Sequence, residues 1–212
     1  MRMLTQLDPT TLHVWFDDFD KYTAGDWTLT TTEAGAGSAT EAVGNLDGGI
    51  LVVTNDAADN DNDFFQWAKE TFKFVAGKKL WFKARCKISD ATQSDFVIGL
   101  QITDTSPLAV SDGVYLMKDD GDANLDCYVT KDSTSTTSAA ASTLSDDTYA
   151  VLGFYYNGVD AVEFYKDGVE IASLATTNLP DDEELTISFG LQNGEAVAKI
   201  LSVDYIYCAS ER

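Results

Sequence analysis

Apolar and polar positions alternate in short runs along this chain, and Asn-Gly and Asp-Gly pairs separate the clearest of them. The stretch from Tyr149 to Leu174 shows this best. Runs rich in β-branched and aromatic residues flank Asn157-Gly158 and Asp167-Gly168. Such dipeptides suit tight hairpin turns, which need positive φ at their central residues. The pattern predicts three antiparallel strands in a meander. A two-residue turn at Asp167-Gly168 sets Lys166 opposite Val169, Tyr165 opposite Glu170, Phe164 opposite Ile171 and Val162 opposite Ser173. Val162, Phe164 and Ile171 then form a core face, with Glu163, Tyr165 and Glu170 on a wet face. The first strand of the meander is apolar on both sides. A two- or four-residue connection at Asn157-Gly158 puts Val151 and Gly153 beside Val162 and Phe164, and turns Leu152, Phe154 and Tyr156 outward next to Tyr165. A three-residue connection swaps the faces, because a slip of one residue inverts a strand. The Asn-Gly pair favours the two-residue turn. An outward set of Leu152, Phe154, Tyr156 and Tyr165 predicts a subunit contact, since four large side chains on an outer face call for a cover.

The rest of the chain reads the same way. Strands are expected at Val14 to Phe19, Trp27 to Thr32, Thr40 to Val43, Gly49 to Thr54, Phe64 to Trp67 and Thr71 to Val75. Lys79 to Ser89 alternates over its whole length, with Leu80, Phe82, Ala84, Cys86 and Ile88 on one side and Lys79, Trp81, Lys83, Arg85 and Lys87 on the other. That is a long strand with an apolar inner and a basic outer face. Further strands follow at Phe96 to Thr103, Gly113 to Lys118, Ala123 to Thr130, Leu185 to Gln192 and Val197 to Cys208, and Asp132 to Ser142 reads as a solvated loop or edge. No stretch holds a 3.6-residue period over eleven residues. Many short strands at even spacing mean an all-β sandwich or barrel. Residues 1–13 read as a polar N-terminal arm and 14–212 as one β-sandwich domain.

The composition sharpens this. The 212 residues are 44% hydrophobic and 11% aromatic, enough for a full core. Against 14 basic residues stand 35 acidic ones, a net charge of −21. A charge of that sign argues against binding nucleic acid through phosphates and against anionic membranes. Cys86, Cys127 and Cys208 are odd in number and lack metal-ligand spacing, so buried free thiols are expected. The N-terminus carries no apolar secretory core. Manufacture in the reducing cytoplasm of a host is expected, and if the protein acts outside a cell it left by lysis or within a particle.

Three pieces of sequence resemble the concanavalin A-like, or laminin G-like, jelly-roll sandwich. They are the hairpin Val162 to Ile171, the closing run containing Val203-Asp204-Tyr205, and the early Phe16-Asp17-Asp18-Phe19. The resemblance implies an antiparallel two-sheet jelly roll over most of the chain, and speaks to fold more than to function.

Chemistry is sparse. The glycosidase branch of that family carries a Glu-x-Asp-x-x-Glu run on one strand, which this chain lacks. Glu163 and Glu170 lie diagonally across the meander's wet face, and carboxylates about 5 Å apart suit retaining hydrolysis; two solvated carboxylates are the plainer reading. Asp59 to Asp63 and Asp119 to Asp122 resemble calcium loops in their alternating oxygens, without the expected glycine and distal glutamate, so acidic turns are the plainer reading. No cofactor and no metal is expected. His13, the one histidine, stands in the polar lead and is a poor catalytic base. Of the four tryptophans, Trp15, Trp27 and Trp67 read as core. Trp81 falls among outward cations, where it suits sugar stacking, and those cations either meet an acidic neighbour or pair with carboxylates on the next strand.

The jelly roll that the chain resembles is of the kind seen in bacteriophage structural proteins, and that resemblance, together with these features, implies a non-enzymatic structural virion protein that decorates or cements a bacteriophage capsid, on its outer surface. Its partners would be capsid or other virion proteins and further copies of itself, with neither nucleic acid nor membrane. The alternative is a carbohydrate-binding module or glycosidase-related lectin-like domain with a glycan partner.

Overall fold

A computed structural model describes residues 9–45 and 48–212. The fold is almost entirely β, as two antiparallel sheets. In chain order the strands are β1 (Leu12–Asp17), β2 (Trp27–Thr32), β3 (Thr40–Val43), β4 (Leu51–Thr54), β5 (Asn62–Trp67), β6 (Leu80–Ile88), β7 (Ser94–Gln101) and β8 (Gly113–Lys118). Then come β9 (Asn124–Lys131), β10 (Thr134–Thr143), β11 (Ala150–Tyr156), β12 (Ala161–Lys166), β13 (Val169–Ala175), β14 (Thr186–Asn193) and β15 (Ile200–Glu211). One sheet, sheet A, runs β13-β12-β11-β6-β15-β4-β3, with β1 also on β15; sheet B runs β10-β9-β8-β7-β14-β5-β2. The expected two-sheet jelly-roll sandwich is present.

The long alternating strand behaves as its pattern demands. Leu80, Phe82, Ala84, Cys86 and Ile88 are buried, while Lys83 is exposed and Trp81, Arg85 and Lys87 are partly so. Sheet A is folded onto sheet B through Phe82, Leu152, Phe154, Phe164, Val203 and Ile206 against Phe96, Ile98, Leu116, Val129, Ile187 and Phe189. Fully burying one such side chain contributes roughly 1.5–3 kcal/mol, before the entropy of ordering the chain is set against it.

The meander departs from its expected register at both turns. At Asp167-Gly168 both residues have positive φ, 52° and 79°, and Lys166 faces Val169 as the sequence predicts. A bulge follows at once. Tyr165 pairs with Glu170, but Phe164 pairs with Ala172 and Val162 with Leu174, so Ile171 is the extra residue. The bulge brings Leu174 into the core in place of Ser173, the apolar choice for a buried site.

The correction at Asn157-Gly158 matters more. Tyr156 pairs with Val162 and the Asn157 amide donates to Ala161, leaving Gly158, Val159 and Asp160 as a three-residue loop. The Asn157 side-chain oxygen accepts from the backbone N–H groups of Val159, Asp160 and Ala161 at 2.8, 3.0 and 3.2 Å. Asparagine's capacity to bond its own downstream backbone thus sets the loop length. The faces swap accordingly. Leu152, Phe154 and Tyr156 point into the core at 0%, 2% and 2% exposure, and only Tyr165 of the four expected contact residues lies on the outer face.

Smaller differences have similar causes. Thr71 to Val75 is not a strand; Phe72 makes a single bridge to Leu185 while Phe72 and Phe74 plug the core. The Ser/Thr/Ala run is the edge strand β10, with a register shift between Ser138 and Ser142. β1 starts at Leu12, so the end of the expected arm is already in the sheet; residues 1–8 lie outside the described residues. His13 is in this strand, stacked on Phe72 at 4.6 Å, with burial lowering its pKa and the Arg212 charge adding to that.

The two acidic turns serve the fold. Among the described residues no three carboxylate, imidazole or thiol groups converge as a metal site. In the first turn, Asp61 accepts from the Ala34 amide and Asp63 from the Thr31 hydroxyl, 2.8 Å away, so this segment fastens the chain after β2 onto β5. In the second, the buried Lys118 donates to the Asp119 carbonyl at 2.5 Å and to the Ser94 carbonyl, while Asp95 accepts from the Asp120 amide at 2.8 Å. The chain's own ammonium holds that turn. Burial lowers the Lys118 pKa and the surrounding aspartates oppose the shift.

Asp63 is 1% exposed, and burial pushes its carboxyl up to about 6, with Glu41, Glu33 and Asp61 adding to the rise and the Thr31 bond opposing it. Its folded pKa exceeds the ordinary 3.8, so the folded chain holds this proton more tightly than the unfolded one, and stability falls as pH rises from about 4 through about 6. Asp63→Asn keeps an acceptor for Thr31 and removes the buried charge. It is expected to stabilise the protein by about 1–3 kcal/mol at about pH 7.5 and by little near pH 4, read from urea unfolding at both values; equal effects at both would contradict this.

Cys86, Cys127 and Cys208 are unpaired, at 3%, 0% and 0% exposure. Burial pushes the thiols of Cys86 and Cys127 up to about 12 and raises that of Cys208 well above its usual range. A thiol reagent should therefore find no rapidly reacting group in native protein and all three after denaturation without reductant; one group after denaturation would mean a disulfide.

Candidate functional site

The outer face of sheet A carries a groove of about 630 Å³. Its residues come from cross-strand registers. Tyr165 on β12 faces Gly153 on β11, Gly153 faces Lys83 on β6, Lys83 faces Tyr207 on β15, and Tyr207 faces Phe16 on β1. One row further, Tyr155 faces Trp81 and Trp81 faces Ala209. Directly opposed side chains stand about 4.5–5.5 Å apart at Cβ, so each row is a continuous surface.

Two backbone features make this face. The first is the three-residue loop already described, which turns Gly153 and Tyr155 outward. A Cβ on Gly153 would lie 2.5 Å from the Phe82 backbone oxygen, so β11 and β6 approach too closely there for any other residue. The bare backbone forms the floor between Tyr165 and Lys83. The second is a bulge in β15. Val203 pairs with Cys86 and Tyr205 with Arg85, leaving Asp204 as the extra residue. Leu201 and Val203 before it, and Ile206 and Cys208 after it, all point inward, so Tyr205 and Tyr207 are thrown outward. The spacing of three between Val203 and Ile206, in place of two, is the visible trace of this phase change in the sequence.

Ring geometry and charge then shape the groove. Trp81 and Tyr155 stack with centroids 5.6 Å apart and planes 27° apart. Tyr165 donates its hydroxyl to Glu163 at 2.5 Å, and that bond pushes the phenol up to about 12. Burial also raises the Tyr205 and Tyr207 phenols, so these groups are protonated donors at neutral pH. The outward cations divide. Arg85 is paired with Asp204 and lies over the Tyr149 ring, 4.0 Å from its centroid, and Lys87 meets Asp147 at 3.0 Å. Among the described residues Lys83 is the one charged side chain lining the groove, and none of them pairs with it.

The other sequence candidates are elsewhere. Trp15, Trp27 and Trp67 form an inward cluster, with Trp27–Trp67 and Trp15–Trp67 centroids each 5.4 Å apart. Of the four tryptophans only Trp81 offers an outward platform. Glu163 is engaged by Tyr165, which itself faces Glu170 across β12 and β13. The outer face of sheet B is partly covered by the chain itself, where Leu108, Val110 and Ile102 pack on Phe64, Val97, Tyr115 and Met117.

No family model and no curated protein matches this sequence. Solved structures do match. The endo-1,3-β-glucanase of Streptomyces sioyaensis is 14% identical with a TM-score of 0.65, over 96% of this chain and 98% of that one. A glycoside hydrolase family 16 endo-glucanase of Bacteroides ovatus is 15% identical with a TM-score of 0.64, over 91% of this chain and 98% of that one. A protein of unknown function from Shewanella oneidensis MR-1 is 20% identical with a TM-score of 0.64, over 95% and 87%. Likenesses at such identities show the fold. They correct two expectations: nothing in them carries a bacteriophage context, and two of these three fold relatives are glucanases, so neither a capsid-decorating role nor the absence of enzymatic activity follows from this sandwich. The chain has the concanavalin A-like jelly-roll architecture shared by these glycoside hydrolases.

Proposed function

We propose that the chain is a carbohydrate-binding domain related to the glycosidases of this fold, and that it seats an oligosaccharide on the outer face of sheet A. The observation that carries this reading is the aromatic lining of the groove: the stacked Trp81 and Tyr155, with Tyr165 and Tyr207 on either side of the bare Gly153–Lys83 floor. Sugar rings present apolar C–H faces and polar rims. Aromatic side chains with polar tips match both, giving flat contact area and hydrogen-bond donors at once. The volume lies within the range of small-molecule sites.

The alternative cover, an apolar subunit face, fits less well. It would bury the Lys83 ammonium without an acceptor, and an uncompensated buried charge costs several kcal/mol. A sugar brings acceptor oxygens with it. The swapped faces of β11 point the same way, since the aliphatic Leu152 and the rings of Phe154 and Tyr156 are spent in the core and leave tyrosines and a tryptophan outside.

Calorimetric titration with a panel of soluble gluco-oligosaccharides tests the proposal. The wild-type chain is expected to bind at least one of them, and Trp81→Ala to weaken it by about 10-fold or more with an unchanged far-UV spectrum. Retained affinity in Trp81→Ala would move the site away from this groove. Dissociation of an oligomer by the same substitution, without glycan binding, would assign the face to subunit contact.

A further inference from the structure

We propose that the oligosaccharide is acidic, with the carboxylate of a uronic acid residue held by Lys83 while its ring lies on the Trp81–Tyr155 pair. This rests on the reading of the groove as a glycan site and adds the class of glycan. The charges on the face point to it. Arg85 is spent on Asp204 and Tyr149, and Lys87 on Asp147. Lys83 has no such partner among the described residues, although the chain carries 35 acidic residues against 14 basic ones. Other lysines among the described residues also lack an ion pair; Lys83 differs from them in its place in the middle of an aromatic groove, where it can anchor an anion brought from outside.

The surroundings of Lys83 favour a carboxylate over a phosphate or sulfate group. Gly153 faces Lys83 on one side and leaves floor space for a ligand atom. Tyr207 faces it on the other side, with a phenol that burial makes still harder to ionise. One ammonium and one phenol supply two donors of modest charge, which suits a singly charged carboxylate. A phosphate monoester carries about two charges, and phosphate and sulfate groups alike present three oxygens that are more often met by the fork of a guanidinium; the Arg85 guanidinium is already engaged. The distributed negative surface repels any anion at long range, but at physiological salt that field decays over about 8 Å, while a contact pair in the groove is screened far less.

Affinities of hexasaccharides of glucuronic acid, of neutral glucose and of sulfated glucose test this, with the wild-type chain, Lys83→Gln and Trp81→Ala. Lys83 is exposed, so Lys83→Gln should leave the fold intact, checked by its thermal midpoint. The wild type is expected to bind the uronate about 10-fold more tightly than the neutral chain, the scale of one charge-assisted hydrogen bond. Lys83→Gln should erase that preference by weakening the uronate about 10-fold more than the neutral chain, whereas Trp81→Ala should weaken both to a similar degree. A wild type that prefers the neutral or the sulfated chain overturns the inference, as does Lys83→Gln lowering all three equally; glycan binding that still depends on Trp81 then leaves the site reading standing. No binding to any of the three overturns both.

Discussion

The strand β15 has to satisfy three neighbours at once. It pairs with β6 along nearly its whole length, and on its other edge with β4 near its start and β1 near its end. A regular 12-residue strand with this sequence would place Val203 and Tyr205 on one side and Asp204 and Ile206 on the other. The bulge at Asp204 resolves the conflict by resetting the phase in mid-strand. Both apolar halves then face the core, the Asp204 carboxylate meets Arg85, and two tyrosines are left on the outer surface. The interior and the aromatic groove are thus two results of one inserted residue.

The architecture was largely legible in the sequence because it depends on patterns that tolerate small errors. Period-two alternation located β6, and paired turn residues located the β12–β13 hairpin, whatever their exact register. The site was less legible because it depends on parity. Which side of β11 faces the core turns on whether the Asn157 loop holds two residues or three, and that is decided by hydrogen bonds from one asparagine side chain. Both sides of β11 are apolar, so composition could not arbitrate. Trp81 was assigned to the outer face correctly because β6 alternates without interruption. Tyr155, Tyr205 and Tyr207 were missed because each lies beyond a loop or a bulge that changes the phase. The spacing of Val203 and Ile206 was the one signal that pointed to the two tyrosines of β15.

Charge in this chain is used at short range as well as in bulk. Lys118 shows the pattern most clearly: an ammonium fully withdrawn from water is held by backbone carbonyls and ringed by aspartates, so that an acidic turn closes on a cation supplied by the chain. Asp63 is the opposite case, a buried carboxyl among other acids with no cation beside it among the described residues, and its raised pKa records the cost. The excess of acid gives the chain its net charge of −21, whereas these few enclosed groups fix how its loops lie.

The antiparallel pairing of β1 with β15 has a mechanical side. Leu12 lies opposite Glu211, and the Arg212 amide donates to the Thr11 carbonyl, so the two strands leave the sheet at the same corner. A load applied between those two points would not slide β1 along β15 against all their hydrogen bonds together. It would open the pair like a zip, one rung after another, starting at that corner. Tension between Thr11 and Arg212 would be resisted by a single rung at a time.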